Sequence, residues 1–112
     1  AELAGILPRN RDPAKVQTLS LPGRVLEIRD LTLFSHCLNL RRLDVARNSI
    51  SSLEGIELLA NLEFLNAYGN KLSTLDEVLR LRRLENLVDI DFRRNTMTKE
   101  ESYRAFVVTN VP

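Results

Sequence analysis

The side chains best suited to chemistry are few. The one histidine, His36, stands beside the one cysteine, Cys37. A nucleophilic thiol needs a base within hydrogen-bond reach. Neighbouring residues on a strand or helix point in different directions, so these two do not form such a pair by themselves. Cys37 falls between Leu33 and Leu40, where a small apolar residue suits a core, and it is read as buried packing. A metal site needs three or four His, Cys or carboxylate ligands, and no CxxC or HxxxH spacing occurs. No GxxxxGK[ST] or GxGxxG phosphate loop is present. Asp89 and Asp91 are two apart, so on a strand they share a face. Paired carboxylates can do acid–base work. On an open surface, solvation and partner contact are the better expectation. We therefore expect no enzyme, no metal and no cofactor.

The bulk composition narrows the function further. At 112 residues the chain suits one domain. A chain of this size buries roughly 65% of its unfolded surface, which allows one modest core. Sixteen basic residues stand against fifteen acidic ones, a net charge of +1. That balance argues against a nucleic-acid partner, which calls for a dense basic face. No apolar run approaches the ~20 residues of a membrane span, so no membrane or small-molecule partner is expected. A lone cysteine suits a reducing compartment and predicts a cytoplasmic location. The chain begins at Ala1 with no signal-peptide pattern, which suggests a processed start or a piece of something longer.

The elements that position these residues come from an internal repeat. Leu40, Leu43, Val45, Asn48, Ile50 and Leu53 recur as Leu62, Leu65, Ala67, Asn70, Leu72 and Leu75, each 22 residues later. A third copy, Leu87, Ile90, Phe92, Asn95 and Met97, starts 25 residues after the second. A degenerate first copy holds Val16, Leu19 and Leu21, then Ile28 and Leu31 after an insertion near Pro22-Gly23-Arg24, and it lacks the asparagine. A divergent first unit is normal at the end of a stacked array. The spacing 3, 2, 3, 2, 3 does not hold the 3.6 period of an amphipathic helix. The array resembles leucine-rich repeats of the 22-residue class. That resemblance implies an α/β right-handed solenoid of about four repeats, with a short parallel sheet on its concave face and a helical C-terminal cap.

Strands are expected at about 18–21, 42–45, 64–67 and 89–92. The asparagines Asn48, Asn70 and Asn95 are expected to form a buried ladder, each amide satisfying backbone groups that the turn leaves unpaired. On the convex side, Leu75 to Leu84 is long enough for a helix, with Ser73 and Asp76 at capping-box spacing. Leu75, Leu79 and Leu84 are its expected inward residues, and Arg80, Arg82 and Arg83 its solvated face. Domain limits follow: a leader or cap over 1–15, repeats over 16–97, and a truncated cap helix over 98–112. That helix is suggested by Thr98 three before Glu101, then Tyr103, Phe106 and Val107 on one face. The missing final strand suggests that the protein continues past Pro112.

Every second strand residue projects onto the concave face. The copies align there as three stripes. Thr18, Arg42, Phe64 and Asp89 form the first; Ser20, Asp44, Asn66 and Asp91 the second; Pro22, Ala46, Tyr68 and Arg93 the third. Inward positions are already filled by aliphatic residues, so core packing does not explain Phe64 or Tyr68. Exposed aromatics beside charges are the usual composition of an interface anchor. Arg42, Asp44, Phe64, Asn66, Tyr68, Asp89, Asp91 and Arg93 are therefore the predicted partner-binding residues.

A narrower resemblance rests on four segments: Leu19-Ser20-Leu21-Pro22-Gly23, Asn48 to Ile56, Leu87 to Asn95, and Tyr103-Arg104-Ala105-Phe106-Val107-Val108. These resemble the N-terminal repeat domain of the seventy-two-kilodalton centrosomal protein family. Thr96 departs from that pattern, where many such repeats carry proline. The resemblance implies a scaffold at the centrosome, basal body or cilium, in the cytoskeleton, whose repeats precede a coiled coil and recruit protein partners. The wider repeat class implies alternatives: an axonemal dynein light-chain-like microtubule or motor subunit, or a phosphatase-type regulatory subunit. Fold alone does not choose among them.

Overall fold

In the computed structural model of this chain, residues 12–23 and 28–99 are described. Four short strands, β1 (Thr18–Ser20), β2 (Arg42–Asp44), β3 (Phe64–Asn66) and β4 (Asp89–Asp91), form one parallel sheet in the order β1-β2-β3-β4. Each is one residue shorter than expected, yet the register is the one the repeat dictates. Leu19, Leu43, Leu65 and Ile90 are mutual partners along the sheet. A 22-residue period returns each leucine to the same place, so stacking buries them as a wall. The core is continuous from Val16 to Met97, and it includes Ile28 and Leu31 of the divergent first repeat. Ile90 on β4 is only half-buried and packs against the edge of this core. The fold is the expected leucine-rich-repeat solenoid with its sheet on the concave side.

Two asparagine ladders bind the repeats together. In the inner one, each Nδ2 donates to a carbonyl of its own repeat and to one of the repeat before. Asn70 Nδ2 lies 3.0 Å from the oxygens of both Ala67 and Val45. Asn95 Nδ2 lies 2.9 Å from those of Phe92 and Ala67. Asn70 Oδ1 accepts from the amides of Asn48 and Ile50, and Asn95 Oδ1 from that of Leu72. Asn48 donates in the same way, to Val45 and Leu21. Its Oδ1 has no hydrogen-bond partner among the described residues.

The outer ladder was missed in the sequence. Asn39, Asn61 and Asn86 donate to the carbonyls of Ala14, Leu38 and Ala60 in the preceding repeats. Its signal was present, since these asparagines share the 22- and 25-residue spacing of the inner ladder.

The convex side runs in 3-10 turns, and here the expectations need correction. Leu75–Leu81 is a 3-10 helix, not an α-helix. With three residues per turn, its inward line is Leu75, Val78, Leu81 and then Leu84, rather than Leu75, Leu79 and Leu84. Val78, Leu81 and Leu84 are buried, while Leu75 and Leu79 are half-buried. Its N-cap is Thr74, without a side-chain cap bond, so the Ser73–Asp76 box does not form. Arg82 and Arg83 are exposed as expected, but Arg80 is not a solvated residue. It lies between two glutamates, with Arg80 Nη1 to Glu57 Oε2 at 2.7 Å and Arg80 Nε to Glu77 Oε1 at 3.0 Å. The same Glu77 oxygen accepts from the Leu53 amide at 2.7 Å and the Ser52 hydroxyl at 3.2 Å. One carboxylate thus joins two repeats. Burial pushes the Glu57 carboxyl up, but hydrogen bonds from its own backbone, Arg80 and Gly55 outweigh this and hold it below its ordinary value.

Gly55 enters the turn at Ile56–Leu58 with φ +102. A Cβ there would sit 2.7 Å from the Leu31 carbonyl carbon and the Thr32 nitrogen, so adjacent repeats touch backbone to backbone. At the far end a 3-10 turn spans Thr96–Lys99, and the Thr98 hydroxyl donates to the Asn95 carbonyl at 2.7 Å. Glu101, Tyr103, Phe106 and Val107 lie outside the described residues, as do the expected cap helix beyond Lys99 and the leader up to Arg11.

Candidate protein-interaction face

The alternation of β2, β3 and β4 sends Leu43, Leu65 and Ile90 toward the core and leaves the three expected stripes on the opposite face. The strand register aligns Thr18, Arg42, Phe64 and Asp89 as one row and Ser20, Asp44, Asn66 and Asp91 as the next. Backbone bonds carry the alignment into the turns: the Arg47 amide donates to the Tyr68 carbonyl at 2.7 Å, and the Gly69 amide to the Arg93 carbonyl at 2.9 Å. All eight residues named from the sequence share this face, spread over three adjacent repeats.

The aromatics are half-buried rather than exposed, and arginines cover them. The Arg42 guanidinium carbon lies 3.9 Å from the centre of the Phe64 ring. Tyr68 has two such neighbours, Arg93 at 5.5 Å and Arg47 at 5.7 Å. A guanidinium within about 6 Å of a ring centre is attracted by its electron-rich face. Arg47 was not foreseen. It precedes the ladder asparagine, at a turn position that gave no sign of pointing back over the sheet.

The second stripe has a structural duty that sequence reasoning missed. The Oδ1 atoms of Asp44, Asn66 and Asp91 accept from the amides two residues on, at 3.1, 3.1 and 3.0 Å. These bonds close the turn after each strand. Short Asp or Asn side chains at this repeated position were the available signal. One oxygen of each is thus occupied by the fold. Asp91 also pairs with Arg93, Oδ2 to Nη2 at 2.8 Å. The hydrogen bonds from the Arg93 side chain, then its backbone amide, hold the Asp91 carboxyl below its ordinary range against the opposing effect of burial. Asp89 is exposed, so the two carboxylates have different surroundings and do not act as a pair.

The result is an open, shallow depression centred on Tyr68, bordered by Asp44, Arg47, Asn66, Asp91 and Arg93. It offers an aromatic anchor, cations, and carboxylates in one surface without an enclosed cavity. Elsewhere Cys37 is buried, and burial pushes its thiol up, while His36 beside it is exposed. They form no nucleophile–base pair.

No family model matches the chain. Individual relatives do. The chain is 47% identical over 114 residues to the centrosomal protein of 72 kDa of Mus musculus, an alignment that takes in 99% of the chain and 18% of that protein. The Homo sapiens protein of the same name is 48% identical over 92% of the chain, and the chain covers 16% of it. Human leucine-rich repeat-containing protein 36 is 41% identical over 86% of the chain, 13% of its own length. The chain thus spans less than a fifth of these relatives. Among solved structures, a chain of the Drosophila melanogaster SNF/U2A′ complex superposes with a TM-score of 0.79. It is 23% identical, and the match covers 96% of this chain and 64% of that one. With the parallel leucine wall, the asparagine ladder and these relatives together, the chain is a leucine-rich-repeat domain similar to the centrosomal proteins of 72 kDa.

Proposed function

We propose that this chain is a non-catalytic protein-interaction module of a centrosomal scaffold, and that it binds a protein partner through its concave face. The relatives' name supports the centrosome as its place of action, with the basal body and cilium as allied sites within the cytoskeleton. The observation that carries the reading is the placement of Phe64 and Tyr68. Both lie outside the core, on a sheet face whose inward positions are already filled. Large aromatics covered by arginine are typical anchors of protein interfaces. The partner-binding set is Arg42, Asp44, Phe64, Asn66, Tyr68, Asp89, Asp91 and Arg93, to which the structure adds Arg47.

Affinity capture from ciliated cells, compared by mass spectrometry between wild type and Tyr68→Ala, tests this. Centrosomal proteins are expected to be lost from the variant. Affinity for a captured partner should fall by about 2 kcal/mol, without loss of folding stability. Equal capture by a folded Tyr68→Ala variant would show that the face is misplaced.

A further inference from the structure

The turn-end rim of the concave face carries a second pattern. In each repeat one residue just after the third stripe has a left-handed backbone. It is Gly23 at φ 59, Arg47 at φ 59, Gly69 at φ 70 and Arg94 at φ 63. Two repeats use glycine there, where the conformation is free of strain. The other two hold an arginine in it, although a side chain makes that conformation unfavourable. The fold is served by glycine, so the strain at arginine points toward a use for the side chain.

The side chains are placed for that use. Arg47 and Arg93, from different repeats, flank the one Tyr68 ring. Arg47 reaches it by crossing Gly69, where a Cβ would already touch its Cγ at 3.4 Å. Among the described residues no carboxylate pairs with Arg47 or Arg94, and the one ion pair at this rim is Arg93 with Asp91. Cations gathered on an exposed ring without matching anions attract carboxylates, and a guanidinium fork receives a carboxylate through two hydrogen bonds.

We propose that this rim is the seat of an acidic peptide segment of the partner. Its carboxylates lie over Tyr68 between Arg47 and Arg93 and run on toward Arg94. The inference rests on the concave face being the binding face and adds the chemistry of what is bound. It also gives the segment a direction. Asp44 and Asp89 repel acidic side chains from the strand level, so the acidic stretch follows the turns and leaves its uncharged residues over Phe64.

The test is a titration of the isotope-labelled chain with hexaglutamate, followed by amide resonances. At about 50 mM salt, shifts are expected at residues 46–48, 68–70 and 93–95, and they should fade at about 0.5 M salt. Arg47→Gly, which also relieves the backbone, should weaken binding at least about fivefold, as should Arg93→Gln. The convex control Arg82→Gln should not. If Arg93→Gln disturbs the turn through Asp91, Arg47→Gly alone decides. Shifts absent from the rim, shifts unaltered by Arg47→Gly, or tighter binding there of hexalysine or oligothymidylate would overturn the proposal. Should Tyr68→Ala lose its partner while hexaglutamate does nothing, only the acidic assignment fails. Should Tyr68→Ala keep its partner, the face itself is wrong.

Discussion

On the convex side Arg80 sits between Glu57 and Glu77, and on the concave side Arg47 sits over Tyr68. The two arginines are alike in type, and each reaches from its own repeat to a neighbour. Their surroundings differ. Glu77 binds Arg80 while its carboxylate also holds the Leu53 amide, so the cation completes a strap between repeats. Arg47 touches only an aromatic ring and occupies a strained backbone position that glycine fills in two sister repeats. Charge on the convex side is consumed by the fold, whereas charge at the concave rim is left over from it. The contrast separates residues that hold the stack together from residues that the stack merely displays.

The convex contact can be broken most severely at Gly55. Gly55→Ala adds a left-handed penalty to a backbone clash with Leu31 and Thr32. A loss of about 3 kcal/mol is expected, read as a lower denaturant midpoint. The inner ladder should respond next, and unevenly. Asn70→Ala removes an oxygen that serves two backbone amides and a nitrogen that serves two carbonyls, so about 2–3 kcal/mol is expected. Asn48→Ala should cost nearer 1 kcal/mol, because its Oδ1 serves no partner among the described residues. Equal losses from the two would mean that the ladder does not end at the first repeat.

The smallest expected effect is on the concave side and depends on pH. The folded pKa of Asp91 is depressed by the hydrogen bonds from Arg93. Its contribution is therefore full above the ordinary carboxylate range and is lost as pH falls through the lowered folded value. Measured against Asp91→Asn, the wild-type advantage should be small and flat near neutrality, then vanish in acid. An advantage that grew on acidification would contradict the pairing.

Much of the fold was legible because a solenoid translates period directly into place. Leu43, Leu65 and Ile90 had to align once the spacing of 22 and 25 was seen, and Asn48, Asn70 and Asn95 with them. The same period brought Phe64 and Tyr68 to one face. Legibility failed where the answer depended on pitch or on two segments meeting. A helix of 3.6 residues per turn picks Leu75 and Leu79, but the observed turn of three picks Val78 and Leu81. The pairing of Arg80 with Glu57 spans 23 residues and needs the convex turns to be stacked first. Arg47 was overlooked because only the left-handed turn aims it at Tyr68. The turn-closing duty of Asp44, Asn66 and Asp91 could have been read from their type and position, but their exposure drew attention to binding instead.

Denaturation of Arg80→Ala and Arg47→Gly side by side tests most directly whether one face spends its charge on the fold and the other displays it. Arg80→Ala is expected to lose about 1 kcal/mol, since it dissolves a network rather than an isolated pair. Arg47→Gly should leave stability unchanged or raise it by up to about 1 kcal/mol. A variant Arg47→Gly that is clearly less stable, beside an Arg80→Ala that is not, would contradict this division of labour.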